Sequence, residues 1–285
     1  MIDGGSGRPI LVTGAPRSGK TRVAHIIAQD SSFAHMQEPL TIWDPGLKRE
    51  DDCLTAADAT DTIRSRIRHL CEQAVQRAGK TRYIDDLSYH ALRIGFAHRV
   101  LPEAKIVHVI RPPREAIPEM IYGWTYRDTF KGALARRRRN INIAALPRQA
   151  WRFLRNYVGS RLEGQRSSWG PDVPGLRKFA RDHSVAEVAG FQWRAMIEIA
   201  RRDLADLPDD QWLEVCRDQL LAAPYREAKR IAEFCEVSDA ERIASYAAEF
   251  LDPNFVYTKK IHPTEEEWNA IFGHIGPLAE QLGYR

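Results

Sequence analysis

Eight residues near the start, Gly14-Ala-Pro-Arg-Ser-Gly-Lys-Thr21, constrain this chain more than any other feature. Two glycines separated by four residues and followed by Lys-Thr satisfy the P-loop spacing in full. The glycines let the backbone bend until successive N–H groups converge on one anion. A short apolar run, Pro9-Ile-Leu-Val-Thr13, precedes the loop, and Thr21 to Gln29 follows it with helical apolar spacing. A helix beginning there adds its positive N-terminal end, and Arg17 and Lys20 add full charges. Strand, glycine loop, helix is the opening unit of an α/β fold, and the anion it cradles is a phosphate compound.

The rest of the chain continues that alternation. Thr60 to Gly79 carries Ile63, Ile67, Leu70, Cys71, Ala74 and Val75 at helical spacing, and Thr81 to Asp85 reads as a short strand. His90 to Leu101 reads as helix, and Lys105-Ile-Val-His-Val-Ile110 as a strand stopped by Arg111-Pro-Pro-Arg114. Val185 to Leu204, Pro224 to Cys235 and Asp239 to Phe250 read as helices, with Trp212 to Val215 as a late strand. Thr264 to Leu282 is a last helix, with Thr264 as N-cap and Glu267 in the capping-box position. The expectation is one domain over residues 1–285, a central parallel sheet flanked by helices. Residues 125–183 show no strand-like alternation and form a helical insertion, in which Leu146 to Leu162 reads as an amphipathic helix.

Charge and cysteine content narrow the partners. The net charge of +4 does not demand a nucleic acid. It is concentrated, however: Lys131 to Arg166 holds ten Lys/Arg against one acid, Glu163. That stretch, with Arg136 to Arg139 at its densest, suits an anionic acceptor or a membrane surface, and equally a solvated face. The four cysteines form no Cys-x-x-Cys pair, which favours free thiols in a reducing compartment. No signal-peptide stretch opens the chain, and no apolar run approaches the roughly 18 residues of a membrane span. A cytoplasmic protein is expected, with peripheral contact at the inner face of the membrane left open.

Two further stretches resemble one family. Pro16-Arg17-Ser18-Gly19-Lys20-Thr21 is similar to the loop of sulfotransferases that use 3′-phosphoadenosine 5′-phosphosulfate (PAPS), with Lys20 where the family has Thr. Lys105 to Ala116 resembles the family's second signature, a strand ending in Arg before a Pro-rich turn and a helix. Trp212 to Pro224 resembles a later strand and turn, with Arg217 in place of a Tyr. The resemblance implies a PAPS donor with no metal, and an acceptor hydroxyl on a glycan, glycolipid or other small molecule. It implies donor contacts from Pro16, Arg17, Ser18, Gly19, Lys20 and Thr21, from Arg111 on the 3′-phosphate, and from Lys259 and Lys260 closing over the donor. Where the family places a Ser eight residues after that Arg, this chain has Glu119. A carboxylate there must turn away, be neutralised, or report a different donor.

Sulfuryl transfer needs positive charge at the leaving phosphate and a base for the acceptor proton. Arg17 and Lys20 suit the first task. For the base, the resemblance points to Glu38 in the Gln37-Glu38-Pro39-Leu40 turn. Asp85 and Asp86 are the second candidates, since catalytic groups of open α/β sheets gather at strand ends. His35 and His90 remain. Two other readings stand beside this one: a P-loop kinase or NTPase, with Asp85 as ligand to ATP-bound magnesium, and a nucleotide-binding module without catalysis.

Overall fold

The computed structural model describes residues 7–47, 49–126, 169–252 and 257–284. Five strands form one sheet: β1 (Ile10–Thr13), β2 (Phe33–Met36), β3 (Arg82–Asp85), β4 (Lys105–Ile110) and β5 (Trp212–Cys216). Their order is β2-β3-β1-β4-β5, and every pairing is parallel. The chain runs from β1 out to the β2 edge, returns through β3, then crosses to β4 on the other side. β1 therefore marks the reversal of strand order, where the carboxyl ends of an open sheet leave a crevice.

The alternation of β1 divides the interior. Ile10 and Val12 face one cluster with α1 (Lys20–Ile27), α8 (Pro224–Phe234) and α9 (Ala240–Phe250). Leu11 faces the other, larger cluster. That side holds α2 (Asp61–Arg77), α3 (Ile94–Val100), α4 (Pro113–Thr125), α5 (Leu176–Asp182), α6 (Val185–Leu204) and α10 (Glu265–Gln281). A short helix, α7 (Arg217–Ala222), follows β5 directly. Strands buried on both faces read as continuous apolar runs, as β4 does.

The expected elements fall where their patterns place them, with two differences, at β2 and at the helix expected from His90. β2 went unread, because Phe-Ala-His-Met is too short and mixed to show a period. β3 carries Arg82 in mid-sheet, which is only 7% exposed. Its guanidinium lies over the Phe33 ring and donates to the carbonyls of Arg8, Cys235 and Glu236, so its polar end is satisfied inside. The helix expected from His90 starts only at Ile94, after a 3-10 turn over Ser88–Leu92. His90 is bonded to Asp85 there, and Arg93 leaves helical backbone at φ −153°. Thr264 and Glu267 form the expected capping box on α10.

Residues 127–168, with the basic stretch, the helix expected over Leu146 to Leu162 and Arg136 to Arg139, lie outside the described residues. The chain on either side of them meets at one clasp. Gln192 of α6, fully buried, accepts from Trp124 Nε1 at 3.1 Å and donates to the carbonyls of Trp169 at 3.0 Å and Pro171 at 2.7 Å. The Trp169 ring lies so close over Gly123 that any side chain there would collide with it. All four cysteines are unpaired. Among the described residues no helix is long and apolar enough to cross a membrane.

Candidate functional site

The loop between β1 and α1 has the shape its sequence requires. Gly14 sits at φ 152°, and a Cβ there would approach the Val109 carbonyl of β4 to 2.3 Å. Gly19, at φ 99°, turns the chain into α1. Arg17 adopts φ 68°, a left-handed conformation that costs a non-glycine residue about 1–3 kcal/mol. Ser18 and Lys20 are buried. Ser18 Oγ and Arg17 Nε are buried with no hydrogen-bond partner in the chain. Unsatisfied donors beside a helix N-terminus fit an anion.

Arg17 stands between two rings. Its guanidinium lies 5.1 Å from the Tyr257 ring centre and 5.8 Å from that of Trp169, and its Nη1 donates to Tyr257 Oη at 3.3 Å. A few residues on, the Ile261 N–H donates to the Pro118 carbonyl of α4 at 2.9 Å. The segment bearing Lys259 and Lys260 is thus tied at one end to the phosphate loop and at the other to α4. Lys259 is exposed and Lys260 half-buried. Pro16 packs beside Gly170.

Arg111, at the end of β4, is joined to the loop through its Nη1, which donates to the Arg17 carbonyl at 2.9 Å. Its Nη2 meets Glu119 at 2.9 Å and its Nε meets Glu115 at 3.2 Å. Glu119 is therefore neutralised by the residue whose partner it was expected to repel. Arg217, the first residue of α7, holds Glu115 at 2.5 Å and lies against Gly19. Burial lowers its pKa, and Arg111 adds to this. Arg217 is a site residue the sequence reading passed over as a substitution for Tyr. Its position rests on contacts with Gly19 and Glu115, which the sequence does not show.

Glu38 is on the other side of the loop. Its carboxylate accepts from Lys20 Nζ at 3.0 Å, and its side chain is 65% exposed. It holds φ 43° immediately before Pro39, where that conformation is doubly unfavourable. The Asp86 carboxylate fixes it there by accepting the Glu38 N–H at 2.8 Å. His35 is close enough to Asp86 for electrostatic coupling. Burial pushes its imidazole pKa down, and Asp86 pulls it only partly back.

Asp85, expected as an alternative base or a magnesium ligand, is committed to partners in the core. It is fully buried and accepts from Trp43 Nε1 at 2.7 Å, Tyr83 Oη at 2.9 Å and His90 Nε2 at 3.1 Å. Both carboxylate oxygens are engaged in the core under the end of β3, so neither is free for a cation beside Thr21. His90 is engaged with it, its edge set against the Trp43 ring.

Similarity to known proteins identifies the family. A family described as "Sulfotransferase family" matches residues 9–155. No curated protein sequence matches the chain. Among solved structures it is similar to sulfotransferase STF9 from Mycobacterium avium, with 13% identity and a TM-score of 0.53, covering 100% of this chain and 79% of that one. It is also similar to sulfotransferase STF1 from Mycobacterium tuberculosis H37Rv, with 13% identity, a TM-score of 0.48, and 95% and 78% covered. Mouse sulfotransferase SULT7A1, solved in complex with PAP, gives 12% identity, a TM-score of 0.47, and 96% and 85% covered. The STF9 likeness speaks for the fold, and the family match spans the phosphate loop, Glu38, Arg111 and Glu119. This chain belongs to the sulfotransferase family.

Proposed function

We propose that the protein takes the sulfuryl group of PAPS and transfers it to a hydroxyl of a glycan, glycolipid or other small acceptor. The observation that carries the reading is the phosphate loop with its unpartnered donors, joined through the Arg17 carbonyl to Arg111. The loop N–H groups, Ser18, Thr21 and Lys20 hold the 5′-phosphosulfate, and Pro16 and Gly19 shape the turn. Arg111 and Arg217 take the 3′-phosphate, which requires Arg111 to exchange Glu119 for the ligand. Lys259 and Lys260 add charge over the donor.

In this reading the acceptor oxygen attacks sulfur in line with the bridging oxygen of the donor. The S–O bond to the 5′-phosphate breaks, and the leaving phosphate keeps that electron pair. Lys20 and Arg17 meet the charge that develops there. Glu38 takes the acceptor proton, and Asp86 positions it through the Glu38 backbone. Asp85 acts from the core by fixing Trp43, Tyr83 and His90. The protein works in the cytoplasm, on an acceptor met in solution or at the inner membrane face.

Calorimetry with adenosine 3′,5′-bisphosphate and with ATP–magnesium tests the donor. Bisphosphate binding without metal is expected, and Arg111→Ala should weaken it by about 1.5–3 kcal/mol, the worth of a charged hydrogen bond. Magnesium-dependent ATP binding with no bisphosphate binding sinks the proposal in favour of a kinase. An unchanged affinity in Arg111→Ala removes that residue from the site.

A further inference from the structure

Three side chains that play no part in the reading above converge where α5, α6 and α10 meet. His183 follows the last residue of α5, Glu187 lies in the first turn of α6, and His274 is in the middle of α10. One ligand atom from each lies within 4.8 Å of the other two. All three side chains are half-buried. We propose that His183, Glu187 and His274 form a binding site for a divalent transition-metal ion of the zinc class, clamping α5 to α6 and α10.

The donor set is the first argument. Two imidazoles and one carboxylate suit Zn²⁺ and its first-row neighbours rather than calcium or magnesium, which prefer all-oxygen shells. The spacing is the second. His274 Nε2 and Glu187 Oε1 are 3.2 Å apart. Tetrahedral Zn–N and Zn–O bonds of about 2.0–2.1 Å place neighbouring ligand atoms roughly 3.3 Å from each other. The pair is hydrogen-bonded as it stands, and an ion would replace that bond with little movement of either side chain.

The third argument is that each ligand is already oriented by a second contact, as metal ligands usually are. His183 Nδ1 lies 2.9 Å from the Phe179 carbonyl. A carbonyl only accepts, so Nδ1 carries the proton and Nε2 keeps the lone pair. The same ring is stacked on Phe179, centres 3.7 Å apart and nearly parallel. Glu187 uses its other oxygen, Oε2, to accept the Ser184 N–H at 3.0 Å in the capping box of α6. The His274 ring stands edge-on to Phe179, and its backbone carbonyl accepts from Arg194 of α6. Three rotamers are thereby fixed by contacts that an ion would leave intact. A pocket of about 240 Å³, lined by Gly175, Lys178, Phe179, Asp182, His183 and Phe191, adjoins the cluster at His183. It offers room for the water or outside ligand that completes a three-residue site.

The test uses the full chain, stripped with a chelator, dialysed, and titrated with Zn²⁺ against a chromophoric competitor. Co²⁺ is then added alone and its visible d–d absorption recorded. The proposal expects saturable Zn²⁺ binding and an intense low-symmetry Co²⁺ spectrum. His183→Gln, Glu187→Gln and His274→Gln should each weaken Zn²⁺ by about tenfold or more. All three should keep the wild-type circular dichroism and a cooperative metal-free melting transition, so a folding defect is separable from a lost ligand. Zn²⁺ affinity unchanged in the three variants assigns binding to other histidines or thiols and overturns the proposal. Absence of saturable binding, or a Co²⁺ spectrum that remains that of the aqueous ion, overturns it as well.

Discussion

Two glutamates flank the phosphate loop, one exposed and one buried. Glu38 is exposed, held in a strained conformation and aimed at Lys20. Its neutral analogue should preserve donor binding and lose proton removal. Glu38→Gln is expected to lower kcat by about 10²–10⁴-fold, the usual worth of a general base. Bisphosphate affinity by calorimetry should stay close to wild type, and normal turnover would move the base elsewhere. Glu119 is buried and engaged by Arg111. Replacing it with Ser removes a negative charge from beside the anion and frees one face of Arg111. Glu119→Ser should tighten bisphosphate binding by about 1–2 kcal/mol. Weaker binding would mean that Glu119 serves instead to hold Arg111 in place.

Among the elements, acid sensitivity is concentrated where strands and helices are tied by carboxylates. Glu214 of β5 accepts from Arg201 of α6 and faces His108 of β4 at 3.3 Å. Burial alone would raise its pKa, but Arg201 and His108 outweigh that and bring it down to about 2 from 4.5. Asp30, which accepts from Ser238 and Ser32, is lowered too, its hydrogen bonds outweighing the effect of burial. A carboxylate whose folded pKa is depressed stabilises the fold above its unfolded value and loses that contribution as pH falls towards the folded one. Stability by urea unfolding should therefore drop between about pH 4.5 and pH 2. In Glu214→Gln the slope over that window should flatten, and an unaltered slope would remove Glu214 as a cause. The same elements show what the sequence made readable. β1, β4 and the capped helices carry local signals, a full apolar run or a capping residue, and they form where read. β2 carries none, and β3, though read from Thr81 to Asp85, hides its support: Arg82 is accommodated by carbonyls contributed from Arg8 and from Cys235 and Glu236, far along the chain. The site divides in the same way. The phosphate loop and Arg111 are local motifs. Arg217 and the withdrawal of Asp85 into the core depend on contacts between distant segments, with Glu115 and with Trp43, that no spacing encodes.

At the scale of the whole molecule, two layers of helices cover one parallel sheet, and the phosphate loop lies where the strand order reverses. Among the described residues, the sheet, both clusters and the loop are built from segments on either side of residues 127–168. Replacing that stretch with a short Gly/Ser linker should leave the melting transition cooperative and bisphosphate binding close to wild type. Loss of either would show that those residues support the donor site. The expectation rests on Gln192, which grips Trp124 before the stretch and Trp169 and Pro171 after it, and on the Trp169 ring seated over Gly123. Because one amide holds both seams together, the two ends of that stretch are pinned to the frame by a residue outside it. The frame is in that sense a socket whose mouth is set by a single side chain, Gln192.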